Sequence, residues 1–336
     1  MARRFCVRVL SSYIYEREDV PHREMGRKNR WFHGFVKSLT RGGSGLQEFD
    51  VDFVRLPQPP ASLASLVERF DREGVQLLIC AGTDAVLRWL STGRNTPVLY
   101  FGAHPENHGL DVITRAHVTG VRLNLPLIWN FENFSIVREL LPAVRDVFIP
   151  LNLDSPFAFP DVRANYDLFR RQHRSPWITA PSSHIGYRSV YFLAARLDCR
   201  YHEGPFASLE ELGRCLLDIP SGPTSAVVGF NDLLLLDGAL ERVLTIVRER
   251  DLPLFWVNNP AIVGAGGIAD FSSDFEKVGE QLGEMCLAIV RDKVPVCDVP
   301  FATDRGERFG LNPRRCAELG ITPGDATRKR FHAMLA

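Results

Sequence analysis

Ala265-Gly-Gly-Ile-Ala-Asp-Phe-Ser-Ser-Asp-Phe-Glu-Lys-Val-Gly-Glu-Gln-Leu-Gly-Glu-Met-Cys-Leu-Ala-Ile-Val-Arg-Asp-Lys-Val-Pro295 is the stretch whose reading decides the fold. Two glycines precede a short apolar run, and an acid follows at Asp274. Val278, Leu282, Met285, Cys286 and Ile289 then recur on one stripe of a helix. Asp274 stands at the N-cap, where a carboxylate accepts from an orphan N–H, although Lys277 replaces the Glu or Gln of a capping box. Strand, loop and helix in this order bring an open α/β sheet to the mouth of a ligand site.

Working outward, the first hundred residues alternate apolar runs with helical spacing. Strands are expected at Phe5–Leu10, Phe49–Leu56, Leu77–Ala81 and Val98–Phe101, and helices near Lys28–Leu39, Ser62–Glu73 and Asp84–Leu90. Such alternation predicts a parallel sheet with helices on both faces. A second unit starts after Val118-Thr-Gly-Val. It has strands near Asp146–Pro150, Cys199–His202, Ala226–Phe230 and Leu254–Val257. Its helices lie near Asn133–Leu141, Tyr187–Leu197, Ser208–Leu217 and Leu240–Arg250. Between Leu151 and Gly186 four prolines loosen the pattern around a helix at Val162–Gln172, as an insertion or an elaborated loop would. The fold class is therefore α/β, with two doubly wound parallel-sheet lobes. A chain of 336 residues is also too long for one ordinary core.

Composition narrows the function. Forty basic and forty acidic side chains cancel, so no bulk field calls for a nucleic-acid partner. No apolar run approaches the roughly 20 residues of a membrane helix, so direct membrane insertion is not expected. Met1-Ala-Arg-Arg followed by Phe5–Leu10 imitates an export signal, but Arg8 interrupts the run and Ser11-Ser12 ends it, so a first strand is expected there. Seven cysteines occur without a CxxC pair, which fits neither a zinc site nor a disulfide scaffold. Unpaired thiols favour a reducing compartment. No Walker A or Gly-x-Gly-x-x-Gly fingerprint is present, and no cofactor is expected.

Several segments resemble one family of ABC-transporter substrate-binding proteins. Val75-Gln-Leu-Leu-Ile-Cys-Ala-Gly-Thr-Asp-Ala85 is similar to its strand and Gly-Thr-x-Ala loop. Thr96-Pro-Val-Leu-Tyr-Phe-Gly-Ala103 fits the next strand, and His117-Val-Thr-Gly-Val121 its Asn-Val-Thr-Gly-Val crossover. Ile136–Val147 resembles its Glu-Leu-Leu-Pro-x-Val segment, and Phe309–Pro323 its closing Ala-x-x-Leu-Gly-Ile-x-x-Pro. The opening stretch departs from the family's Tyr-Gly-x-Asp and Gly-Arg-Gln at Phe271-Ser272 and at Gly279-Glu280-Gln281. Residues 151–186 have no family counterpart.

The resemblance implies a type I periplasmic-binding-protein-like fold with three crossovers. The first lobe would hold residues 1–120 plus 258–300, and the second 121–257 plus 301–336. It also implies non-catalytic trapping of a small, amino-acid-like molecule for ABC-type uptake, with an ABC permease or a signalling partner. Location would then be periplasmic or extracytoplasmic, whereas the thiols fit a cytoplasmic ligand sensor on the same fold.

Ligands of doubly wound sheets meet the loops at the carboxyl ends of strands. In the first lobe these loops carry Ser11, Ser12 and Tyr13, then Gly82, Thr83 and Asp84, then Gly102, Ala103 and His104. In the second they carry Asn152, Asn231, Asp232, Asn258 and Asn259, with Asp270 and Phe271 on the returning segment. Gly82-Thr83 either caps a helix or offers backbone donors and a hydroxyl to a carboxylate or other anion. Asp232 either caps the next helix or meets a ligand ammonium. Asn258-Asn259-Pro260 reads as a turn or as a ligand contact. Trp129, Trp177 and Trp256 are candidates for stacking on a ligand, with core packing the competing role for Trp256. His104 and His108 suggest a metal, but Pro105 and Gly109 argue for a plain loop. Ser182-Ser-His184 lacks the nucleophile elbow of a hydrolase.

Overall fold

The computed structural model describes residues 4–11, 29–41, 46–57, 63–103, 111–112, 114–123, 131–152, 177, 194–230, 239–258 and 260–334. The expected helix at Val162–Gln172 lies outside them. The chain divides into two compact units, residues 1–124 with 274–306 and residues 125–273 with 307–336, so the backbone passes from one to the other three times.

The first unit is built on a six-stranded sheet. Its strands are β1 (Phe5–Ser11), β2 (Phe49–Arg55), β3 (Leu77–Ala81), β4 (Val98–Phe101), β5 (Val118–Arg122) and β11 (Ala302–Thr303), in the order β11-β5-β4-β3-β1-β2. Every pairing in it is parallel. Successive side chains serve opposite faces, as the period of two demands. Val7, Val9, Leu77, Ile79, Leu99 and Phe101 enter one core. Leu10, Leu78, Cys80, Val98 and Tyr100 enter the other.

Helices α2 (Ala64–Glu73) and α3 (Thr83–Leu90) cover the second face through Phe70 and Trp89. Helices α1 (Arg30–Arg41) and α8 (Phe275–Cys286) cover the first. The expected Asp274 cap is present, its Oδ1 accepting the Glu276 N–H at 3.2 Å. Val118–Val121, read from the sequence as a crossover segment, lies in a full strand of this sheet, and the chain passes to the other unit just beyond it, after residue 124.

The second unit carries β6 (Asp146–Asn152), β7 (Arg200–Phe206), β8 (Ser225–Phe230), β9 (Leu254–Val257), β10 (Ala269–Ser273), β12 (Glu307–Leu311) and β13 (Ala333–Met334). Their order is β13-β12-β10-β9-β8-β6-β7, parallel except where β12 turns antiparallel to β10. Two cores again lie on the two faces. Among the described residues, helices α4 (Phe131–Leu140), α5 (Leu209–Asp218), α6 (Ala239–Glu249), α7 (Pro260–Ala265), α9 (Pro313–Glu318) and α10 (Asp325–Arg328) belong to this unit.

All three lobe boundaries of the sequence reading need correction: residues 121–124 and 301–306, set with the second lobe, belong to the first unit, where Ala302–Thr303 form β11 beside β5. Residues 258–273 were set with the first lobe, yet β10 pairs with β9 on one side and β12 on the other. Two rows of backbone hydrogen bonds bind it into the second sheet. The true exchange is at Ser273–Asp274.

Candidate functional site

In the first unit the strand ends fall in register. Ser11 pairs with Ala81, Ala81 with Phe101, and Phe101 with Val121. The loops that follow these ends therefore share one edge, spaced by the roughly 5 Å between strands. Gly82 leaves β3 with φ +91° and donates its N–H to the Phe101 carbonyl at 3.0 Å. Gly102 leaves β4 with φ +62°. Both conformations suit glycine, and they let the chain turn sharply out of the sheet. Thr83 opens α3 and is buried, and so are Ser11 and Ala103.

Asp84 occupies the first turn of α3 and keeps 27% of its side chain exposed. Burial pushes its carboxyl above the usual 3.8, against the opposing pull of the Arg88 guanidinium.

The second unit gathers its own polar edge. Asn152 ends β6 and is buried. Asn258 follows β9 in the left-handed region, φ +64°, a conformation asparagine tolerates. Its Oδ1 accepts the Ser273 N–H at 2.9 Å, and its own N–H donates to the Phe271 carbonyl at 3.3 Å. It is thus a turn that ties β9 to the end of β10. Asp270 is 1% exposed and accepts the Ser272 hydroxyl at 2.5 Å.

Phe271, one residue on, points to the opposite face. It packs against Phe255, Phe309 and Phe331 in the core, so it supplies burial for the fold rather than an open aromatic face. Trp256 lies over Gly229, where any Cβ would collide with its ring. Trp177 packs over Gly204 in the same way and donates Nε1–H to the Cys215 carbonyl at 3.2 Å. Both tryptophans belong to the core of this unit.

Ser12, Tyr13, His104, His108, Trp129, Ser182, His184, Asn231, Asp232 and Asn259 lie outside the described residues. Among the described ones, no group of three His, Cys, Asp or Glu is placed to hold a metal ion. No described helix is long and apolar enough to cross a membrane.

Two polar features escaped the sequence reading. Ser272 shares the face of Asp270, which the i, i+2 spacing along a strand could have signalled. Glu203 on β7 is 1% exposed and receives the Tyr201 hydroxyl. A tyrosine and an acid two residues apart on one strand, and so on one face, were the available clue.

No protein-family model matches this chain, and no curated protein matches its sequence. Solved structures do match its fold. The ABC domain in complex with L-Trp from Streptococcus pneumonia aligns with TM-score 0.68 at 16% identity, covering 98% of this chain and 99% of that one. A ligand-free, open substrate binding protein with adhesive properties from Clostridium difficile aligns with TM-score 0.67 at 16% identity, covering 98% of each chain. A LacI family transcriptional regulator from Arthrobacter sp. FB24, complexed with lactose, aligns with TM-score 0.54 at 13% identity over 91% of this chain and 97% of that one. The chain therefore has the type I periplasmic-binding-protein-like fold expected from its sequence.

Proposed function

We propose that this chain is a non-catalytic solute-binding protein whose two units close on one small molecule, in the service of ABC-type uptake. The observation that carries the reading is the fold itself: two α/β units joined by three chain passages, each bringing buried hydroxyl, amide or carboxyl groups to the carboxyl ends of its strands. Ser11, Thr83 and Asp84 on one unit and Asn152, Asn258 and Asp270 on the other would supply the few polar contacts that orient a ligand. Hinged closure would present a loaded form to an ABC permease or a signalling partner. The location that goes with this role is extracytoplasmic.

A second reading keeps the binding and changes the role to that of a cytoplasmic ligand sensor. It is supported by six buried free cysteines, a population at home in a reducing compartment, and by the likeness to a LacI-type regulator. Fractionation of the native host, followed by detection of the chain, separates the two roles.

The binding itself is tested by a thermal-shift screen over amino acids, amines, sugars, purines and small carboxylic acids, with X-ray scattering on each hit. The expected outcome is one ligand class that raises the melting temperature and contracts the radius of gyration. A screen without hits, together with scattering unchanged by any compound, would sink the reading.

A further inference from the structure

We infer that Asp84 selects a ligand carrying a positively charged group, an ammonium or a guanidinium, at the strand-end edge of the first unit; this rests on the solute-binding reading above. The sequence pattern Gly82-Thr83 at the start of a helix suggested the opposite, an anion held by backbone donors. The structure sets a carboxylate in that same first turn. Among the described residues Asp84 accepts no hydrogen bond, and its sole ion pair is with Arg88 at 4.0 Å, the outer limit of such a contact. Arg88 sits one helical turn further from the strand ends, and its Nη1 donates to the Pro57 carbonyl. A carboxylate can accept about four hydrogen bonds. This one is partly buried, with 27% of its side chain left exposed, and takes no hydrogen bond from the described residues; burial pushes its carboxyl up against the pull of Arg88. A half-buried acid in this condition, flanked by Ser11 and Thr83 on the in-register edge, is completed by a cation bearing N–H donors. A carboxylate or phosphate placed there would meet like charge in a partly desolvated setting.

The test titrates the full chain and its Asp84→Asn variant by calorimetry. The probes are phenethylamine, agmatine and putrescine, set against 3-phenylpropionate and succinate. At least one amine is expected to bind the parent chain, and Asp84→Asn to weaken it by about 10- to 100-fold, the range of one charge-assisted hydrogen bond. The unliganded variant should melt no lower than the parent, since the substitution is isosteric and removes a poorly solvated charge. The inference is overturned if no amine binds, if an anion binds as tightly as its matched amine, or if Asp84→Asn leaves amine affinity within about twofold. Closure on a neutral or anionic compound in the wider screen would overturn this inference alone. A screen with neither hits nor contraction would remove the solute-binding reading as well.

Discussion

Substituting Gly279 by alanine tests how the first unit is held together. Helices α1 and α8 run in parallel with their backbones in contact. A Cβ at Gly279 would stand 2.6 Å from the Trp31 carbonyl carbon and 2.9 Å from the Phe35 nitrogen; at Gly283 it would stand 2.6 Å from Ser38 Cβ. Ordinary carbon contacts need about 3.5–4.0 Å, so the helices must part by about 1 Å. The obstacle is main chain, and no rotamer change relieves it. Parting them loosens Trp31, Phe35, Val278 and Leu282, all buried in the same core. Overpacking costs about 1–3 kcal/mol; the backbone clash argues for the upper end, and alanine's better helix propensity returns about 1 kcal/mol. A net loss of about 2 kcal/mol follows, or about 4–8 °C for a unit of roughly 150 residues. Gly213 in α5 is the control, since a Cβ there meets only Ile246 Cδ1 at 3.5 Å. Gly213→Ala should be neutral or stabilising by up to about 1 kcal/mol. Gly34→Ala, which would clash with the Glu276 carbonyl across the same seam, should combine with Gly279→Ala less than additively. Urea unfolding followed by tryptophan fluorescence measures all four variants. A Gly279→Ala protein as stable as the parent would refute the helix seam.

Cys297 is exposed, whereas Cys6, Cys80, Cys199, Cys215, Cys286 and Cys316 are buried. Burial pushes the Cys80 and Cys286 thiols far above the ordinary range and Cys316 up to about 11. Native protein at neutral pH should therefore react with a thiol-specific dye at one site per chain, and Cys297→Ser should abolish the rapid signal; fast labelling of two or more thiols would contradict the packing. Arg8, 6% exposed in mid-strand, pairs with Glu73 at 2.7 Å and Asp50 at 2.9 Å. Burial raises the Glu73 carboxyl, but hydrogen bonds from Arg69 and Arg8 prevail and hold it below 4.5. A depressed folded-state pKa means that its stabilisation is whole above about pH 4.5 and is lost as pH falls through the folded value. Arg8→Met should cost about 3 kcal/mol at pH 7 and flatten the fall in urea midpoint between pH 5 and pH 3; an unchanged acid limb would show that the pair does not carry it.

The alternation of apolar runs with helical spacing was enough to read two doubly wound units. It is imposed by burial on both faces of a parallel sheet, and burial leaves its mark in the residues themselves. Thr83 at a helix start and Asp274 at an N-cap were legible for the same local reason: turn and cap chemistry is settled within four residues. The partners of β10 were not legible. Ala269–Ser273 reads as a buried strand in either unit, and only its hydrogen bonds to β9 and β12 assign it to the second. Phe271 was read as a ligand contact on the segment returning from the second unit, and its turn into the aromatic core follows from strand phase relative to a sheet not yet located. Asp84 marks the same divide at the site. Its position on the helix could be read from the chain, but its lack of hydrogen bonds could not, because desolvation depends on the residues that fold around a group from elsewhere in the sequence.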